Sequence, residues 1–248
     1  MRVAQCLIGL SLFVPYSAYG QAMLCVAPSG GTPTECTPGG VACDGIFTSF
    51  AAATIDAASR ISTGRPQQIS LCTPENGPIP ERIVLDNSGD QLGAPLTVGF
   101  AQGWVCPPPG DAPTEPAVTV VPGTNDSLGG LRVEFGTTQC GSDSRPGLRV
   151  SGPGDLTVFG GEFDGTTDYA ISVEGSLLSV LQLNSVQVRN CTGMGLMADK
   201  PVALRGSRFL NCLSEDMPLV SVGPGADLDI KGQSLCGEPH RRPGRSAD

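Results

Sequence analysis

The chain has 248 residues, 16% of them charged, and its 24 Asp and Glu against 15 Lys and Arg give a formal charge of −9. This acidic balance argues against nucleic-acid binding, which needs a Lys/Arg-rich surface, and two lysines with 5% aromatics disfavour a helical bundle or coiled coil. The 34 glycines and 22 prolines, set against 40% apolar residues, point to a turn-rich β protein that still has a core.

Arg2 precedes an apolar run at 6–14, and small residues follow at Ala18 and Gly20. This is the layout of a secretory leader over 1–20, cleaved between Gly20 and Gln21, so the expected location is secreted or at the cell surface. The apolar run is too short to span a bilayer and no later run approaches that length, so no transmembrane segment is expected. Nine cysteines remain: Cys25, Cys36, Cys43, Cys72, Cys106, Cys140, Cys191, Cys212 and Cys236. In an exported chain they read as disulfides. The lack of any C-x-x-C pair and the single His240 argue against zinc. An odd number leaves at least one thiol free or paired between chains.

After a Cys/Gly/Pro-rich segment at 21–43, Asp44 is a candidate cap for a helix over 45–61. Phe47, Phe50, Ala51, Thr54, Ala58 and Ile61 would lie near one face of it. Strands are expected at 69–72, 81–86, 96–100 and 117–121, and consecutive prolines make 106–116 a loop.

The second half carries an internal repeat. Segments 156–163, 181–188, 202–209 and 228–235 have apolar residues at the first, third and eighth positions, and a fifth at 131–138 fits the first positions only. Alternation over three positions means a short strand with one face inward. Gly160, Gly206 and Gly232 at the fifth position mark a bend. A second apolar stretch accompanies each unit, at 148–150, 170–173, 195–198 and 219–222. A unit this small cannot bury its apolar face alone and must stack on its neighbours. The predicted solenoid runs over 44–236. The tail at 237–248 holds no apolar residue that could seal the last coil, so either it is disordered or the chain is part of a longer one.

This pattern resembles the right-handed parallel β-helix of the pectin-lyase-like superfamily, an all-β solenoid. Asn190-Cys191 and Asn211-Cys212 recur at one offset in consecutive units, where proteins of this fold stack like residues and bond Asn side chains along the axis. The resemblance implies that a helix near the N-terminus covers the open end of the stack. It also makes Cys191–Cys212 a candidate disulfide, since coils spaced by about 4.8 Å lie within disulfide reach; a ladder of buried thiols is the alternative.

Related lyases hold Ca²⁺ on outward carboxylates beside an Arg or Lys that abstracts a sugar proton. The fourth-position column here reads Glu134, Phe159, Asn184, Arg205 and Lys231, and the seventh reads Thr137, Glu162, Gln187, Arg208 and Ser234. Glu162, Asp164 and Asp168, with Arg189, Arg205 and Arg208 nearby, are the candidate surface-binding residues. No catalytic or metal-ligating residue is assigned. The polygalacturonase Asp and His motifs are absent, no lyase signature matches, and Trp104 and Tyr169 read as packing residues rather than a sugar platform. The expectation is therefore a cofactor-free scaffold touching polysaccharide or envelope components. The alternative is a divergent Ca²⁺-dependent uronate lyase.

Overall fold

The computed structural model describes residues 22–27, 42–61, 67–72, 77–89, 94–100, 103–107, 114–135, 144–175, 179–212, 218–231 and 234–236. The expected leader with its Gly20–Gln21 cleavage point and the tail at 237–248 lie outside them. The chain opens with β1 (Ala22–Val26), β2 (Gly45–Phe47) and α1 (Phe50–Ile61). It then winds through six coils of three strands each. These are β3 (Gln67–Leu71), β4 (Pro78–Ile79) and β5 (Ile83–Asp86); β6 (Leu96–Gly99), β7 (Trp104–Val105) and β8 (Val118–Val121); β9 (Asp126–Gly129), β10 (Arg132–Glu134) and β11 (Leu148–Val150). The next are β12 (Leu156–Phe159), β13 (Glu162–Asp164) and β14 (Tyr169–Val173); β15 (Leu181–Asn184), β16 (Gln187–Arg189) and β17 (Met194–Ala198); β18 (Val202–Arg205), β19 (Arg208–Leu210) and β20 (Val220–Val222). β21 (Leu228–Lys231) and β22 (Ser234–Cys236) begin a seventh.

Each strand pairs in parallel with its equivalents one coil before and after, which builds three sheets of nine, seven and six strands. Sheet 1 runs β2-β1-β3-β6-β9-β12-β15-β18-β21, sheet 2 runs β4 to β22, and sheet 3 runs β5 to β20. The molecule is an all-β parallel β-helix solenoid. Leu156, Leu181 and Val202 occupy one inward column with Leu228, and they join Val158, Leu183, Leu204, Phe163, Val188 and Phe209 in a single core. Among the described residues no helix is long and apolar enough to cross a membrane.

From the third coil on, the described corners out of sheets 1 and 2 turn on left-handed residues. From sheet 1 to sheet 2 these are Gly130, Gly160, Ser185 and Gly206, with φ between 58° and 67°. From sheet 2 to sheet 3 they are Gly165, Asn190 and Asn211. Only Gly, and secondarily Asn, enters this region at low cost. The recurring asparagines are thus corner residues, and Asn190 sends its amide back to Asp164 (2.8 Å) rather than along to Asn211. Cys191 and Cys212 form a disulfide between adjacent coils, Cα atoms 4.4 Å apart. Cys25 and Cys43 form another, Cα atoms 5.8 Å apart, and Cys72 and Cys106 each belong to a disulfide as well.

Three expectations are corrected. The helix starts at Phe50, not at 45, because residues Gly45–Phe47 pair with Leu24–Val26 as β2. Asp44 accordingly does not cap it: its carboxylate accepts the Met23 N–H (2.8 Å), and Ser49 Oγ accepts the Ala52 N–H instead (3.2 Å). The buried stripe is Phe50, Ala53, Thr54, Ala57 and Ile61, with Ala51 and Ala58 turned to solvent. Second, Ala22–Val26, in the segment expected to precede the solenoid, lies inside sheet 1 between β2 and β3. Third, the unit placed at 131 starts at Asp126, since Asp126–Gly129 pairs with Leu156–Phe159. Leu131 therefore precedes a sheet 2 strand. The helix packs on β1, β2, β3 and β5 and so covers the N-terminal end of the core, as the resemblance implied.

Candidate functional site

Sheet 2 presents a ladder of charged side chains on its outer face. Val133, Phe163, Val188 and Phe209 point inward, so the residues flanking each must point outward. One outward column reads Trp104, Arg132, Glu162, Gln187 and Arg208. Beside it runs Glu134, Asp164, Arg189 and Leu210. Parallel in-register pairing makes column neighbours of residues about 25 apart in sequence, and here it sets Arg132 beside Glu162 and Asp164 beside Arg189.

Arg132 Nη2 lies 2.6 Å from Glu134 Oε2 and its Nε 3.5 Å from Glu162 Oε2, with the guanidinium carbon 5.5 Å from the Trp104 ring centroid. Arg189 binds Glu162 Oε1 through Nη2 and Asp164 Oδ2 through Nε at 2.7 Å. The Asn190 amide takes the other Asp164 oxygen. Partial burial works against the Arg189 charge, but the hydrogen bond to Asp164 and the negative charges of Asp164, Glu162 and Glu134 outweigh it, so its pKa is raised. Three carboxylates are thus matched by two guanidinium groups and one amide.

Of the sequence-derived candidates, Glu162, Asp164 and Arg189 come together. Asp168 does not join them: it sits in the turn before β14 at φ 59°, where its carbonyl accepts the Met194 N–H. Arg205 belongs to sheet 1, reaching Asp229 at 3.6 Å. Arg208 is exposed on β19 and makes no ion pair among the described residues. No group of three or more His, Cys, Asp or Glu among the described residues is arranged to hold a metal ion.

Sequence reasoning missed the cluster's other half. Arg132, Glu134 and Trp104 stand opposite the predicted residues, and the signal was present: with the unit starting at Asp126, Arg132 and Glu134 fall at the offsets of Glu162 and Asp164. Also unforeseen is Lys200, fully buried, its ammonium donating to the Gly154 carbonyl (3.0 Å) and to Ser179 Oγ (3.3 Å). Burial lowers its pKa, with Asp155 opposing. It ties three coils together at the corner before sheet 1.

The chain matches no protein-family model, no curated protein and no solved structure.

Proposed function

We propose that this protein is an exported, non-catalytic parallel β-helix of the pectin-lyase-like kind, a rigid surface or extracellular scaffold whose outer faces contact polysaccharide or envelope components. The observation that carries the reading is the engagement of Glu162 and Asp164 by arginines of their own sheet. A carboxylate that is to ligate Ca²⁺ or act on a sugar must offer oxygens to the ligand. Here Asp164 accepts from Arg189 and Asn190, and Glu162 is ion-paired with Arg189 and, at 3.5 Å, with Arg132. The disulfides fit an oxidising compartment.

The test is incubation of the full chain with a panel of acidic polysaccharides and Ca²⁺, following unsaturated products by ultraviolet absorbance. No product is expected. Product formation that is abolished by Glu162→Gln or Arg208→Gln would replace the scaffold with a divergent Ca²⁺-dependent uronate lyase.

A further inference from the structure

The two ends of the solenoid differ. α1 packs on β1, β2, β3 and β5 and covers the N-terminal end. At the other end the three sheets finish on β21, β22 and β20, and among the described residues each of these strands has a neighbour on one side only. The core is open there. Val220 and Leu228 pack against it but are only partly buried, whereas their counterparts one coil back, Leu196 and Val202, are buried. The segment 237–248 that follows β22 holds no apolar residue larger than Ala247, and Pro239 and Pro243 cannot donate to a strand edge. Sheet edges beside an open core are a template for another chain.

The shape of this end fits a second copy of itself. Each coil holds one strand of each sheet, so the chain climbs about a third of a coil from one strand to the next. β21 and β22 stand in the seventh coil, whereas sheet 3 ends with β20 in the sixth. A two-fold axis normal to the solenoid makes the sheet it passes through meet itself, running antiparallel, and exchanges the other two. With the axis through sheet 1, β21 pairs with its own copy one coil spacing away. β22 of each copy then lies one coil spacing from β20 of the other, so all three edges are filled together. With the axis through sheet 2, the remaining edges stay about two coil spacings apart, too far to pair. With the axis through sheet 3, β21 of one copy and β22 of the other fall at the same level and collide.

Charge then selects the register. Leu228 follows Val202 in the inward column, and Asp229 and Lys231 stand exposed on the outer face. Antiparallel pairing that keeps inward positions opposite inward positions is centred on Asp229, Ile230 or Lys231. Centred on Asp229 or on Lys231, it sets like charges directly opposite each other, which is destabilising. Centred on Ile230, it sets Asp229 of each copy opposite Lys231 of the other. What selects this register is the like-charge pairs it avoids, whatever else Lys231 touches within its own copy.

We infer that the protein forms a two-fold dimer joined at the C-terminal ends of its solenoids, with β21 antiparallel to its own copy around Ile230 and β22 of each copy on β20 of the other. The core then continues from one copy into the next. Pairing stops at two because α1 covers each outer end. The dimer does not depend on what the outer faces contact, so its failure leaves the scaffold reading standing.

The experiment is sedimentation velocity of the full chain across the micromolar range, with small-angle X-ray scattering for shape. Wild type should form a dimer about twice as long as the monomer with the same cross-section. Asp229→Lys turns two unlike pairs across the axis into like ones and should weaken dimerisation at least about fourfold, with the circular dichroism unchanged. Lys231→Asp should do the same. Combining Asp229→Lys with Lys231→Asp restores unlike pairs and should recover most of the lost affinity, a rescue that simple damage to the strand would not show. A wild type that stays monomeric, a dimer no longer than the monomer, or a dimer that both single variants leave intact would overturn the proposal. So would dimerisation that begins only when 237–248 is removed, which would make that segment the cover of this end.

Discussion

Replacing Arg189 by Met tests whether the sheet 2 ladder is a structural device. The side chain keeps much of its apolar stem, so packing is little disturbed, but Glu162 and Asp164 lose their shared guanidinium. Glu162 retains Arg132 Nε at 3.5 Å and Asp164 retains the Asn190 amide at 2.8 Å, so neither carboxylate is stranded. The local charge falls from −1 to −2. The side chains are 19–38% exposed, so solvent screens the pairs, and each contributes no more than a surface ion pair. Two pairs together give a loss of about 0.5–2 kcal/mol, which for a domain of this size lowers Tm by roughly 1–8 °C. Urea unfolding followed by circular dichroism at low salt should show it, and at about 1 M salt, where the screening length is about 3 Å, the loss should shrink by half or more. A double-mutant cycle with Asp164→Asn should return a coupling of about 0.5 kcal/mol or more. An Arg189→Met protein as stable as wild type at low salt would refute the structural role and return these carboxylates to the list of groups available for chemistry.

Three further outcomes follow from the coil geometry. Non-reducing peptide mapping should recover Cys191 linked to Cys212. Replacing both by Ser should cost about 3 kcal/mol for a loop of this length, measured by denaturant unfolding. Gly147→Ala would put a methyl 2.4 Å from the Ala170 carbonyl oxygen and 2.9 Å from the Phe163 ring, so a loss of about 1–3 kcal/mol is expected, whereas Gly129→Ala should be neutral or gain about 0.5 kcal/mol. Burial raises the Glu81 pKa, opposed by the N–H groups of Phe50 and Ala51, so the folded state binds its proton more readily than the unfolded chain does. Its contribution to stability therefore falls as pH rises from the ordinary glutamate value through the raised one. Glu81→Gln, which keeps an acceptor for Phe50, should remove that slope in a pH series of unfolding free energies.

The second half of the fold was legible because every coil there repeats the same physical requirements. Leu156, Leu181, Val202 and Leu228 begin sheet 1 strands, and a residue at positive φ follows the first three, at Gly160, Ser185 and Gly206. The unit before them was misread because its first inward residue is polar. Asp126 is buried where the repeat demands Leu, its carboxylate held by Asn87 Nδ2 (2.8 Å) and by the N–H groups of Leu96 (2.7 Å) and Gly123 (2.8 Å). A satisfied polar group can occupy a core column, but a hydrophobic pattern skips it, and Leu131 was the next match. The strand at 22–26 was hidden for the opposite reason. Leu24 and Val26 face the main core, while Met23 and Cys25 are covered by Ala27, Cys72, Cys43 and Ile46, so no alternation betrays it. The helix start was lost to long-range pairing: nothing local distinguishes residues 45–47 from a first helical turn.

The same in-register stacking decides what each outer face can do. A column in this fold is a sequence sampled once per coil, and the solenoid turns the differences between coils into gradients along its axis. On sheet 2 both signs are sampled side by side, so Arg132 and Arg189 largely offset Glu134, Glu162 and Asp164, while Arg208 stands exposed beyond them. On sheet 1 two glycines, an aromatic, an amide and two cations follow in order, with Asp229 within ion-pair distance of both cations. Arg205 and Arg208, three residues apart, end on different faces because Gly206 turns the chain between them at φ 62°. Sequence proximity groups these arginines with Glu162 and Asp164, whereas the corner assigns Arg205 to the face that carries Phe159. Arg205→Gln should therefore leave the Arg189–Asp164 coupling unchanged; a change in that coupling would mean that the two faces are not electrostatically separate.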